Sequence, residues 1–189
     1  MPRIYDNIEN SLLPALRQGL DLSERSDFCV GYFNLRGWKK IDDCIERSSG
    51  EEDACCRLLV GMHRSPQKEV EDALSRFEGD GADLDQSTVL RLKKLIAQEF
   101  RDQLALGFPT NEDESGLRKL ARQIRARKVR VKLFLRYPLH AKLYLLFRLD
   151  PINPTIGYLG SSNLTFAGLC VQGELATFRR RIRQLSSSL

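Results

Sequence analysis

Short apolar runs recur along this chain, each closed by glycine, proline or a polar turn, and segments of helical period lie between them. Phe28 to Phe33, Cys56 to Val60, Val129 to Leu135, His140 to Phe147 and Ile156 to Leu159 read as strands. Ile4 to Leu20 reads as a helix with Ile8, Leu12, Leu13 and Leu16 on one face. A second helix carries Trp38, Ile41, Cys44 and Ile45 behind the turn Asn34 to Gly37, and a third, Gln67 to Phe77, starts behind Pro66. Thr88 to Leu106 presents Leu92, Leu95, Ile96, Phe100 and Leu104 on one side, and Glu114 to Ala126 completes the set. Alternation of this kind predicts an α/β fold with helices on both faces of a sheet. The last strands follow one another too closely for crossover helices, so the sheet is expected to be mixed.

Length and composition narrow the class further. At 189 residues the chain suits one core, and neither a repeat nor a long linker divides it, so residues 1–189 are expected to form a single domain. Hydrophobic residues make up 42% and the net charge is only +5, which excludes a disordered chain. With 13 Gly and 7 Pro it is not collagen-like. No apolar run approaches the roughly 20 residues of a membrane span, and the N-terminus lacks a signal-peptide core.

The five cysteines (Cys29, Cys44, Cys55, Cys56 and Cys170) are odd in number and form no Cys-x-x-Cys pair. They read as free thiols of a reducing compartment, which makes a cytoplasmic location the expectation. The two histidines, His63 and His140, are not spaced with cysteines as zinc ligands are, so neither a metal nor a cofactor is expected.

Charge is unevenly placed. Between Leu117 and Arg148 no acidic residue occurs, while Arg118, Arg122, Arg125, Lys128, Arg130, Lys132 and Arg136 lead toward the second histidine. Such a stretch is either a solvated helix face with strand-edge lysines or a field for phosphates, and the seven residues are candidate nucleic-acid contacts. A second basic segment, 176–189, follows Leu175 and reads as a tail, truncated or altered relative to a core strand.

Three features could carry chemistry. His140 and Lys142, two apart on a strand, would present an imidazole and an ammonium to one surface with Tyr144, leaving Leu139, Ala141, Leu143 and Leu145 to the core. Gly160-Ser161-Ser162-Asn163 follows a short strand, where backbone N–H groups, hydroxyls and an amide can surround a phosphate. Glu174 could pair with a histidine or a lysine. Each alone is weak, since strand lysines and serine-rich loops are common. Together they suit a phosphodiester site. A histidine attacks phosphorus, a lysine and an asparagine hold the non-bridging oxygens, and a second histidine protonates the leaving oxygen, with no metal ligand set required.

The string His140-x-Lys142, Gly160-Ser-Ser-Asn163-Leu-Thr and Gly173-Glu174-Leu resembles the phospholipase D superfamily. More narrowly, it is similar to the PLD-like nuclease domain at the N-terminus of some superfamily II helicases and in certain metal-independent restriction enzymes. Gly31 to Trp38 and Leu59-Val-Gly61 also fit, so the resemblance spans roughly Ile4 to Leu175. It implies a PLD-like mixed sheet flanked by helices. His140 would be the nucleophile, or the general acid in the partner subunit. Lys142, Asn163 and Ser161 or Ser162 would bind the phosphate, and Glu174 would orient a histidine.

Two departures are visible. Phe147 stands where the family's motif places an acidic residue, with Asp150 three positions later. The family's centre uses two histidine motifs and this chain has one, because His63 is followed by Arg64 and Ser65. His63 therefore reads as a strand-exit loop residue, with a role near the substrate as the lesser alternative. One chain would supply half a site, and a two-fold homodimer would complete it.

No Gly-x-x-x-x-Gly-Lys-Ser/Thr loop occurs, so a helicase motor would have to be a separate module. Three functions stay open at this point: a DNA phosphodiesterase working through a phosphohistidine, a non-catalytic DNA-binding or targeting domain, and a phospholipid or phosphotransfer enzyme.

Overall fold

The computed structural model describes residues 3–8, 10–62, 70, 72–73, 75, 85–104, 111–170 and 176–181. Its centre is a seven-stranded mixed sheet flanked by helices, the α/β architecture expected from the alternation. The strands are β1 (Arg3–Tyr5), β2 (Arg25–Val30), β3 (Cys56–Gly61), β4 (Val129–Phe134), β5 (Lys142–Phe147), β6 (Thr155–Gly160) and β7 (Ala176–Arg181), in the order β1-β7-β6-β5-β2-β3-β4. β2, β3 and β4 run parallel, and β5, β6, β7 and β1 join antiparallel. The helices are α1 (Leu12–Asp21), α2 (Leu35–Trp38), α3 (Asp42–Glu46), α4 (Gln86–Leu104), α5 (Asn111–Arg125) and α6 (Phe166–Cys170).

Strand alternation puts Ser26, Phe28 and Val30, Cys56, Leu58 and Val60, Tyr144 and Leu146, and Ile156 and Tyr158 on one buried face. α1 lies close against it. Gly19 leaves room for Leu146 and Tyr158, and the Tyr158 hydroxyl donates to the Ala15 carbonyl at 2.9 Å. Trp38, fully buried, donates its indole N–H to Gln123 on α5 at 3.0 Å. Gln123 in turn donates to the Asp42 carbonyl and the Glu46 carboxylate, both at 2.9 Å, so one amide ties three helices together. Among the described residues no helix is long and apolar enough to cross a membrane.

Four expectations change. The helix expected from Ile4 is a strand, a turn and then α1. Asp6 Oδ1 accepts from the N–H groups of Ile8 and Asn10, Asn7 adopts a φ of 58°, and its Oδ1 accepts from Leu12 N–H. Side-chain capture of backbone donors breaks the helical run there, and Ile8 is exposed instead of packed.

The single helix expected around Trp38 is two short ones, although Trp38, Ile41, Cys44 and Ile45 are all buried as the periodicity requires. In β5 the core face is Tyr144 and Leu146, while Leu143 and Leu145 are half-buried on the other side. Period two separates the faces but does not say which one the helices cover. Finally, Ala176–Arg181 is no tail. It pairs with β6 from Thr155↔Arg181 to Gly160↔Ala176 and with β1, because ladder pairing uses only the backbone and tolerates a basic strand. The helix expected at 67–77 falls largely outside the described residues.

Candidate active site

Parallel and antiparallel pairing together decide where the chemistry-bearing residues lie. Val30 at the C-terminal end of β2 pairs with Lys142 at the start of β5, and Leu143 pairs with Leu159 near the end of β6. The carboxyl ends of β2, β3, β4 and β6 and the N-terminus of β5 thus share one end of the sheet, the end where open α/β sheets bind ligands. His140-Ala-Lys142 and Gly160-Ser-Ser-Asn163, about twenty positions apart in sequence, are brought together there.

His140 lies just outside the strand expected to hold it, because β5 begins at Lys142. The segment crosses the ends of β2 and β3 at close range. Gly31 N–H donates to the Ala141 carbonyl at 2.8 Å. A Cβ at Gly31 would run into the Leu139 carbonyl, and one at Gly61 would come within 2.9 Å of the Leu139 Cβ. Glycine at both positions lets the chain lie this low, and His140 stands exposed at the sheet end. Lys142, half-buried, donates from Nζ to the His140 carbonyl at 3.1 Å, so the ammonium stays beside the histidine without strand alternation arranging it.

The Gly160–Asn163 loop is held from three sides. Tyr144, buried, donates its hydroxyl to the Ser162 carbonyl at 2.8 Å. Phe33 bridges Leu164, and Asn34 N–H donates to the Leu164 carbonyl at 3.2 Å. Gly37 permits this approach, since a Cβ there would stand 2.5 Å from the same carbonyl oxygen.

Tyr32 N–H donates to Asn163 Oδ1 at 3.1 Å. A backbone N–H can only donate, so the contact fixes the oxygen of that amide and leaves its NH2 group to donate elsewhere. Ser162 is 1% exposed and its Oγ has no hydrogen-bond partner among the described residues. An unsatisfied buried hydroxyl costs about 1–3 kcal/mol, so its persistence suits a position that binds something. Ser161 is exposed on the same loop.

Other candidates are scattered or unseen. Glu174 and His63 lie outside the described residues. The basic stretch is divided by the topology. α5 leads its arginines toward the N-terminal end of β4, where Lys128 pairs with Glu46 at 3.0 Å and Arg130 with Glu52 at 3.4 Å. On α5, Arg118 pairs with Glu114 at 2.7 Å, and Arg122 and Arg125 are exposed. Lys132 and Arg136 lie toward the site end of β4 and are exposed.

Burial pushes the Tyr32 hydroxyl up, opposed by a hydrogen bond from Asn34, and burial likewise raises the thiols of Cys29 and Cys170. All five cysteines are free. No group of three or more His, Cys, Asp or Glu side chains among the described residues is placed to hold a metal.

Tyr32, Tyr144 and Gly31 were not singled out for these roles by sequence reasoning. A backbone N–H that orients an asparagine leaves no mark in sequence. The glycines that end β2 and β3 were the available signal.

No family model matches the chain, and no curated protein matches it in sequence. Among solved structures it is similar to Nuc, a phospholipase D family member from Salmonella typhimurium, with a TM-score of 0.46 and 10% identity over 96% of this chain and 83% of that one.

Proposed function

We propose that this chain is a metal-independent phosphodiesterase that cleaves DNA, with His140 as nucleophile and a second copy of the chain completing the site. The observation that supports it most is the convergence on one sheet end of His140, Lys142, an Asn163 amide with its donor side freed by Tyr32, and the unsatisfied hydroxyl of Ser162.

A ring nitrogen of His140 attacks phosphorus. The N–P bond forms as the P–O bond to the leaving oxygen breaks, and the same histidine of the second copy gives that oxygen its proton. Water, deprotonated by the second histidine, then cleaves the N–P bond and restores both rings. Lys142, Asn163 and Ser161 or Ser162 hold the non-bridging oxygens as charge builds on them. Glu174 takes the orienting role on sequence grounds alone. Lys132 and Arg136, exposed toward the site end of β4, favour a polyanion, whose backbone contacts weaken with salt.

The test is reaction with phosphorus-labelled DNA in EDTA, quenched without acid. Label on the peptide containing His140, from a protein that sediments as a dimer, supports the reading. Salt-dependent DNA binding with no cleavage and no label would replace it with that of a DNA-targeting module.

A further inference from the structure

Three residues before the histidine lies an aromatic ring to which the proposed chemistry gives no role. Tyr137 is in the segment joining β4 to β5 and is 66% exposed. Its ring meets Phe134, at the end of β4, edge-to-face with centroids 4.7 Å apart. Pro138 follows it, which disfavours helical backbone angles at Tyr137. The ring is therefore propped from behind and limited in backbone freedom while still open to solvent. Both features lower the entropy lost when something packs on it. Phe166, the other exposed aromatic ring among the described residues, differs, because the Lys40 ammonium sits 5.0 Å over it.

We propose that Tyr137 stacks on an unpaired nucleobase next to the phosphate held by His140 and Lys142, so that the substrate class is single-stranded nucleic acid. The inference rests on the phosphodiesterase reading and names its substrate. Three residues of extended chain span at most about 11 Å between their Cα atoms, so the ring and the histidine belong to one short segment at the sheet end. In a duplex each base face is covered by its neighbours. A ring beside a surface phosphate can stack only on a base that has left the pair or was never in one. Arg136, the residue before it, is exposed and adds positive charge to the same segment. Since every base has a π-face, the contact carries little sequence preference and does not depend on the 2′-hydroxyl.

The test uses the full chain in EDTA at fixed salt, with labelled oligonucleotides of one length: single-stranded DNA, single-stranded RNA, an abasic DNA strand and a DNA duplex. The parent should bind both single strands about 5- to 100-fold more tightly than the abasic strand. Tyr137→Ala should remove that difference while leaving abasic affinity unchanged, and Tyr137→Phe should keep it. Equal affinity of the parent for based and abasic strands would overturn the proposal. So would a Tyr137→Ala loss that is the same on both. Cleavage indifferent to the bases sinks the stacking role and leaves the hydrolysis standing. Base-dependent binding without any cleavage sinks the hydrolysis and leaves Tyr137 in place.

Discussion

Asn163 shows how much a single hydrogen bond decides. Its Oδ1 is occupied by Tyr32 N–H, so the amide has a structural half and a functional half. Asn163→Asp keeps the acceptor for Tyr32 and replaces the donor half with a negative oxygen facing the phosphate position. The variant should melt within a few degrees of the parent and lose at least about tenfold in affinity for single-stranded DNA, measured by anisotropy. A large drop in melting temperature with unchanged affinity would mean that the amide is structural throughout. Ser162 belongs to the same scale. Its Oγ is a buried polar atom without a partner among the described residues, and it lies on the loop that also carries Asn163.

At the scale of elements, the helix layer depends on α5 reaching back to α2 and α3 through Gln123, which is 1% exposed. Gln123→Ala strands the Trp38 indole N–H and the Asp42 carbonyl in the core. It should cost about 2–4 kcal/mol in urea unfolding, and Gln123→Glu, which still accepts from Trp38 but sets a buried carboxylate against the Asp42 carbonyl and the Glu46 carboxylate, should cost at least as much. The strands and long helices were legible in sequence because period and punctuation agree: β3, β4, β6, α4 and α5 fall within a few residues of the pattern.

What misled was local chemistry that overrides period. Asp6 and Asn7 captured N–H groups that a continuing helix would have used. Arg179 to Arg181 read as tail, though a ladder needs only their backbone. The site was legible as two motifs. Their meeting was not, because it depends on β5 pairing antiparallel with β2 and on Gly31 and Gly61 admitting the Leu139–His140 segment.

Across the whole molecule, charge does two different things. Within the basic stretch, Lys128 and Arg130 pair with Glu46 and Glu52 at the far end of the sheet, whereas Lys132 and Arg136 lie exposed toward the site side. Acid stability follows from the pairs that tie the helices. Arg17 beside Asp43 holds that carboxyl down at about 2, and Gln123 and Lys128 lower Glu46. A carboxyl depressed in the folded state stabilises above its unfolded value near 4 and loses that contribution as pH falls through the folded value. Unfolding midpoints should therefore drop between about pH 4 and pH 2, and Asp43→Asn should flatten the drop. An unchanged acid limb in that variant would place the dependence elsewhere.

The function proposed for the molecule rests on one ring. Comparing DNA cleavage rates of the parent and His140→Ala, in EDTA and at matched protein concentration, tests it most directly. A fall of at least about 10³-fold in a folded, DNA-binding variant is the result predicted for loss of a nucleophile. An undiminished rate would contradict the account.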